Sequence, residues 1–127
     1  MAAEDIELLR KAYAARSPEE FGEYLHPDAE LHQAAEIPDS DVYRGKEEFL
    51  RGLGLWLEDW ERFRYVPVEV LESPNGIYMN LKMVGRGKGS GVKLEQQVFN
   101  IWDMRDGLAW RCMVFWDEDS ARRYAGL

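Results

Sequence analysis

At 127 residues, 46% hydrophobic and 31% charged, the chain has room for one packed domain and not for two. Its 16 Lys and Arg stand against 24 Asp and Glu, and the net charge of −8 repels duplex nucleic acid and anionic membranes. No run approaches the ~18 consecutive apolar residues that cross a bilayer, and a single cysteine, Cys112, rules out an internal disulfide. The start, Met1-Ala2-Ala3-Glu4-Asp5, turns acidic at once, unlike a signal peptide. Together with the lone thiol it predicts a cytoplasmic location.

The first element is a predicted helix over 5–16, with Ile6, Leu9 and Tyr13 on one apolar face. Ser17-Pro18-Glu19-Glu20 restarts a helix: Ser17 caps, Pro18 suits the first helical position and Glu20 completes a capping box. Phe21, Tyr24 and Leu25 face the core, and Pro27 is the predicted stop. A short strand follows at 29–33. Residues 34–44 read as a loop with Pro38, Asp39, Ser40 and Asp41 as turn formers. A longer helix spans 46–61, where Phe49, Leu53, Trp56, Leu57 and Trp60 keep helical spacing; Gly52 and Gly54 would let it lie close to the sheet.

From residue 62 the pattern turns to strands. Segment 63–72 contains Pro67, which marks an edge or a bulge. Ser73-Pro74-Asn75-Gly76 is a turn, 77–84 a strand, and Gly85 to Gly91 a glycine-rich tip. Arg86 and Lys88 on that tip suggest a phosphate cradle only if a helix follows, and here a strand does. Strands 92–104 and 108–117 are joined by Asp106-Gly107, the preferred two-residue hairpin pair. A last helical turn, 118–125, is capped by Asp117 and ends at Gly126.

A two-residue loop fixes the final hairpin: Trp110 faces Asp103, Cys112 faces Ile101, Val114 faces Phe99 and Trp116 faces Gln97. Both faces come out largely apolar. With helices for only one face, the second is expected to pack against another subunit, giving a homodimer through the sheet.

This order of elements resembles the nuclear transport factor 2-like superfamily, within it the SnoaL-like polyketide cyclase and ketosteroid isomerase-like branch. The stretches that carry the resemblance are Leu25-His26-Pro27-Asp28-Ala29-Glu30-Leu31, Tyr43-Arg44-Gly45-Lys46-Glu47, Gly87-Lys88-Gly89-Ser90-Gly91, Arg105-Asp106-Gly107, and Phe115-Trp116-Asp117 with Ala125-Gly126-Leu127. The resemblance implies one α+β domain over 1–127. A cone-shaped, curved antiparallel sheet with about three helices would enclose a pocket. Two known mechanisms of the superfamily lack their residues. The aspartate base of ketosteroid isomerases falls at Gln33, and their oxyanion-hole tyrosine near Leu9, with Tyr13 one turn later. The water-activating aspartates of limonene epoxide hydrolases fall at Val84 and Val114, and their arginine at Lys82.

The same alignment lines the pocket with Trp110, Cys112, Val114 and Trp116, with Gln97, Phe99 and Ile101 from the neighbouring strand, and with Tyr78, Asn80 and Lys82. Lys82 and Glu95, expected opposite each other, are the candidate catalytic acid and base; the alternative is an ion pair at a wet mouth. Gln33, Asn80 and Gln97 would orient a ligand carbonyl or hydroxyl, or bond loop backbone. Trp56, Trp110 and Trp116 would stack on a flat ligand, or simply pack. Glu30 and His32 share a face but lack a third ligand, so no metal is expected. Cys112 reads as a buried thiol rather than a nucleophile. The leading expectation is a cofactor-independent isomerase, cyclase or dehydratase acting on a small apolar cyclic molecule. The alternatives are a non-catalytic binding or dimerisation module and a sheet that docks partner proteins.

Overall fold

The computed structural model describes residues 2–35, 37–38 and 40–127; Met1 and the predicted turn former Asp39 lie outside the described residues. Helix α1 (Ala2–Tyr13) buries Leu9 and Tyr13, as the sequence spacing requires. Ser17 accepts from the Glu20 N–H at 3.1 Å, so the cap forms as read, but Glu20 reaches back to the Arg16 N–H, one residue before the cap, and not to the Ser17 N–H that a capping box requires. Helix α2 (Pro18–Gly22) is nevertheless only five residues long.

Strand β1 (Leu25–His32) begins four residues before the predicted strand and runs through Pro27, the expected helix stop. Its register slips between Leu25 and Glu30, and within that slip the missing proline N–H is not needed by the ladder. His26 compensates locally. Its Nδ1 accepts the Asp28 N–H at 3.0 Å, so the ring proton sits on Nε2 and is donated to Asp106, 3.1 Å away. The imidazole thereby ties the start of β1 to the last hairpin turn.

Strand β2 (Val42–Arg44) lies inside the predicted loop, and helix α3 (Lys46–Leu57) stops before Trp60. Gly52 of α3 has the close approach expected of it: a Cβ there would sit 2.8 Å from the Tyr43 ring of β2. Strands β3 (Trp60–Ser73), β4 (Gly76–Gly87), β5 (Lys93–Arg105) and β6 (Leu108–Phe115) form a meander, and helix α4 (Glu118–Ala125) follows. Pro67 sits on the edge strand β3 at a register break, as predicted. Among the described residues there is one curved, unclosed sheet of six strands in the order β2-β1-β6-β5-β4-β3. The β1–β6 pair is parallel and every other pair antiparallel.

The hairpin register departs from expectation at one residue. Asp106 and Gly107 both take positive φ (54° and 76°), and the first rungs, Arg105 with Leu108 and Met104 with Ala109, follow the two-residue turn. The next rung pairs Asp103 with Arg111, leaving Trp110 as a bulge. Every later partner shifts by one, so Cys112 lies opposite Trp102 and Val114 opposite Asn100.

Alternate residues of the same strands feed two cores. One joins α1, α2 and α3 to Met79, Leu81, Met83, Val98, Trp102 and Cys112. The other packs Tyr78, Phe99, Ile101 and Phe115 against Ala121 and Ala125 of α4. The expectation that helices cover one face only is therefore corrected: α4 covers part of the second. The dimer inferred from an uncovered apolar face loses that premise.

Closing the β3–β4 turn depends on Gly76, whose φ is 143°. A Cβ there would lie 2.7 Å from the Trp102 carbonyl oxygen and 2.8 Å from Ile101 Cγ2. Gly76→Ala is expected to cost about 1–3 kcal/mol, a melting temperature lower by roughly 3–10 °C in a calorimetric scan. An unchanged melting temperature would contradict the tight approach.

Candidate functional site

Between the sheet and the three N-terminal helices lies a cavity of about 50 Å³. Tyr13 from α1, Asn100 and Trp102 from β5 and Cys112 from β6 form its polar floor. Trp56 from α3, Trp116 and Gln33 complete the lining. The Trp56 ring lies 6.0 Å from those of both Trp60 and Trp116.

The Tyr13 hydroxyl organises the floor. It accepts from Asn100 Nδ2 at 2.5 Å and from Trp102 Nε1 at 2.8 Å. Both lone pairs are thereby used, and its own proton is left to point toward Cys112 or into the void. Burial pushes the phenol well above its usual range, Cys112 and Tyr65 add to the rise, and the Trp102 and Asn100 hydrogen bonds oppose it only partly. Burial likewise raises the Tyr65 phenol. The Cys112 thiol is also pushed up by burial, against a smaller opposing pull from Tyr13. All three are neutral at physiological pH, so Cys112 is a thiol and not a nucleophilic thiolate.

Two buried polar atoms on this lining have no partner among the described residues: the Trp56 Nε1 donor and the Asn100 Oδ1 acceptor. No described residue lining the cavity is an aspartate, glutamate, histidine, lysine or arginine.

The structure gathers five of the predicted pocket residues here: Gln33, Trp56, Cys112, Val114 and Trp116. The Trp110 bulge sends the others elsewhere. Phe99 and Tyr78 lie beneath α4 on the opposite face. Asn80 shares that opposite face, where it accepts from Gln97 Nε2 at 3.0 Å. Trp110 lies against Arg105 and Arg111, each guanidinium carbon 4.6 Å from its ring centre.

Lys82 and Glu95 do meet, at 3.3 Å, but diagonally, since Lys82 pairs with Gln97 across the ladder. They sit outside the cavity with side chains 43% and 48% exposed, and Lys93 also contacts Glu95, at 3.2 Å. Hydrogen bonds from Lys93 and then Lys82 hold the Glu95 carboxyl below its usual range, as an exposed ion pair would. Glu30 meets His32 at 2.9 Å and Arg44 at 3.2 Å. Burial alone would raise its carboxyl; the His32 hydrogen bond and the Arg44 charge outweigh that and lower it. Among the described residues no group of three or more His, Cys, Asp and Glu is placed to hold a metal.

Val98, Asn100 and Trp102 of β5 line the cavity although the expected register put them on the opposite face. Sequence reasoning read Tyr13 as a core residue of the first helix, one turn beyond the position where the resemblance puts an oxyanion-hole tyrosine. No pattern signals the slip, because β5 and β6 are apolar on both faces.

A sequence model of the SnoaL-like domain matches residues 6–112. No curated protein matches the chain. Among solved structures, a candidate SnoaL-like polyketide cyclase from a Jannaschia species superposes with a TM-score of 0.77 at 13% identity, over 98% of this chain and 92% of that one. A protein of ketosteroid isomerase-like fold from Catenulispora acidiphila, in complex with trimethylamine, gives 0.73 at 12% identity, over 100% and 95%. TerC, co-crystallised with polyporic acid, gives 0.72 at 19% identity, over 98% and 99%. At these identities the likeness concerns the fold. No helix among the described residues is long and apolar enough to cross a membrane.

Proposed function

The chain belongs to the SnoaL-like domain family, and we propose that it is a small-molecule pocket protein whose cavity takes an uncharged, largely apolar ring carrying one acceptor and one donor. The observation that carries this reading is the pair of orphaned atoms, Trp56 Nε1 and Asn100 Oδ1, each on a residue that lines the cavity, one from the helix side and one from the sheet. A buried polar atom without a partner costs about 1–3 kcal/mol, and a ligand that hydrogen-bonds both recovers it. The void of about 50 Å³ holds only a small fragment. A larger ring requires the lining side chains to move apart.

Binding without chemistry is the better supported form of this reading. The described lining offers no ionisable group able to take a proton near neutral pH, and Lys82 and Glu95 lie outside it. A second form, a cofactor-independent isomerase, cyclase or dehydratase, rests on the Tyr13 hydroxyl, whose proton would have to turn from Cys112 to a ligand carbonyl to polarise it.

Thermal-shift screening with small terpenoid, steroid-like and polyketide-like compounds tests both forms. A true ligand at a hundred times its Kd should add about 2.7 kcal/mol, or roughly 10 °C in melting temperature. Trp56→Phe keeps the ring and removes the N–H, and should weaken the hit about tenfold. Recovery of the ligand unchanged supports binding alone; a new product supports the second form. A screen without a hit, or full affinity in Trp56→Phe, would sink the donor–acceptor reading.

A further inference from the structure

A second void, of about 310 Å³, lies where the turn between α1 and α2 meets the edge strand β3. Tyr13, Phe21, Leu53 and Tyr65 line both this groove and the inner cavity, so the two are separated by one layer of side chains. The groove adds Trp60 and Phe63, which continue an aromatic wall outward. Its charged residues are Arg16, Arg62 and Arg64, with no carboxylate among the described residues of the lining.

None of these three arginines has an ion-pair partner among the described residues; Arg10, Arg86 and Arg105 have none either, but only Arg16, Arg62 and Arg64 line this groove. Glu20 is nearby but bonds the Arg16 backbone N–H. The backbone also departs from regularity here. The β3 register breaks between Glu61 and Arg64, and Arg62 holds a positive φ of 54°, which a non-glycine residue rarely adopts. Bulges of this kind re-aim side chains beside binding sites. Three uncompensated positive charges at one groove, on a chain of net charge −8, are a local reversal of sign.

We propose that this groove is an anion subsite for an amphipathic organic ligand, whose carboxylate, sulfonate or phosphate meets Arg16, Arg62 and Arg64 while its ring lies against the aromatic wall toward the cavity. The proposal rests on the small-molecule reading of that cavity and adds the charge its ligand carries. Guanidinium groups suit the role because their planar forks bond such oxygens in pairs and stay charged at any working pH.

Two fluorescent probes that differ by one sulfonate group test it: anilinonaphthalene sulfonate and its uncharged parent, phenylnaphthylamine. In low salt the sulfonate should bind about tenfold more tightly, against the repulsion of the net charge, and should lose that advantage as salt rises. Arg62→Gln with Arg64→Gln, both exposed positions, should lower sulfonate affinity about tenfold, roughly threefold per charge, and leave phenylnaphthylamine within about twofold of wild type. Arg64→Lys should fall between. Circular dichroism melts establish that the variants are folded. A sulfonate preference that survives in the double variant, or no preference in the wild type, overturns the subsite. Arginine-dependent sulfonate binding without any phenylnaphthylamine binding keeps the subsite and overturns the apolar cavity reading. If neither probe binds, both fall.

Discussion

Trp102→Ala is expected to cost about 3–5 kcal/mol and to lower the melting temperature by roughly 10–20 °C. Trp102 is 1% exposed and sits where all three N-terminal helices converge on β5. Its ring stacks on Phe49 at 5.8 Å, lies tilted against Phe21 at 6.4 Å and meets the edge of Tyr13 at 6.5 Å. Removing the indole leaves a void beside an existing cavity, and packed neighbours collapse into such space only in part. It also removes one of the two N–H groups held by the Tyr13 oxygen. Trp102→Phe separates the two contributions. It keeps most of the stacking, loses the hydrogen bond and should cost about 1 kcal/mol from that bond alone. Urea unfolding of both variants is the measurement. A Trp102→Ala protein within about 1 kcal/mol of wild type would mean that this residue is not where the helices are anchored.

That Trp102 occupies this position was hidden by a single residue. Turn chemistry at Asp106-Gly107, the cap at Ser17, the edge proline Pro67 and the cap at Asp117 act locally, and each behaves as its residue type requires. They position α2, β3, the last hairpin and α4. The bulge at Trp110 has no such local cause. A slip in strand register is legible when one face is polar, because it would bury charge. Here Trp102, Asn100 and Val98 on one face and Phe99 and Ile101 on the other are all buried, so either register satisfies the pattern. The second face could be apolar because α4, only eight residues long, folds back over it. The structure therefore places Cys112, Val114 and Trp116 on the cavity lining, and from β4 and β5 the residues of the opposite face to the one expected, Met83, Val98, Asn100 and Trp102. The Lys82–Glu95 contact was found for a different reason: a shift of two residues preserves the face, and long side chains bridge the diagonal.

The neutral floor of the cavity makes the protein sensitive to alkali. Burial raises the ionisation of Cys112, Tyr13 and Tyr65 in the folded state. In the unfolded chain a thiol ionises near pH ~8.5 and a phenol near ~10. Below pH ~8.5 both states hold these protons and stability does not depend on them. As pH rises past that point the unfolded chain releases the thiol proton while the folded one retains it, so stability falls by about 1.4 kcal/mol per pH unit. The two phenols join above pH ~10, and by pH ~10.5 the combined loss is about 4 kcal/mol. Thermal or urea unfolding between pH 8 and 10.5 measures it. Cys112→Ala moves the onset of the fall from near pH ~8.5 to near ~10, because only the phenols remain. Tyr13→Phe leaves the onset in place and makes the upper part of the curve shallower. A flat profile up to pH 10.5, or an onset that Cys112→Ala does not move, would mean that water reaches the Cys112 thiol and the Tyr13 and Tyr65 phenols and that burial does not hold their protons.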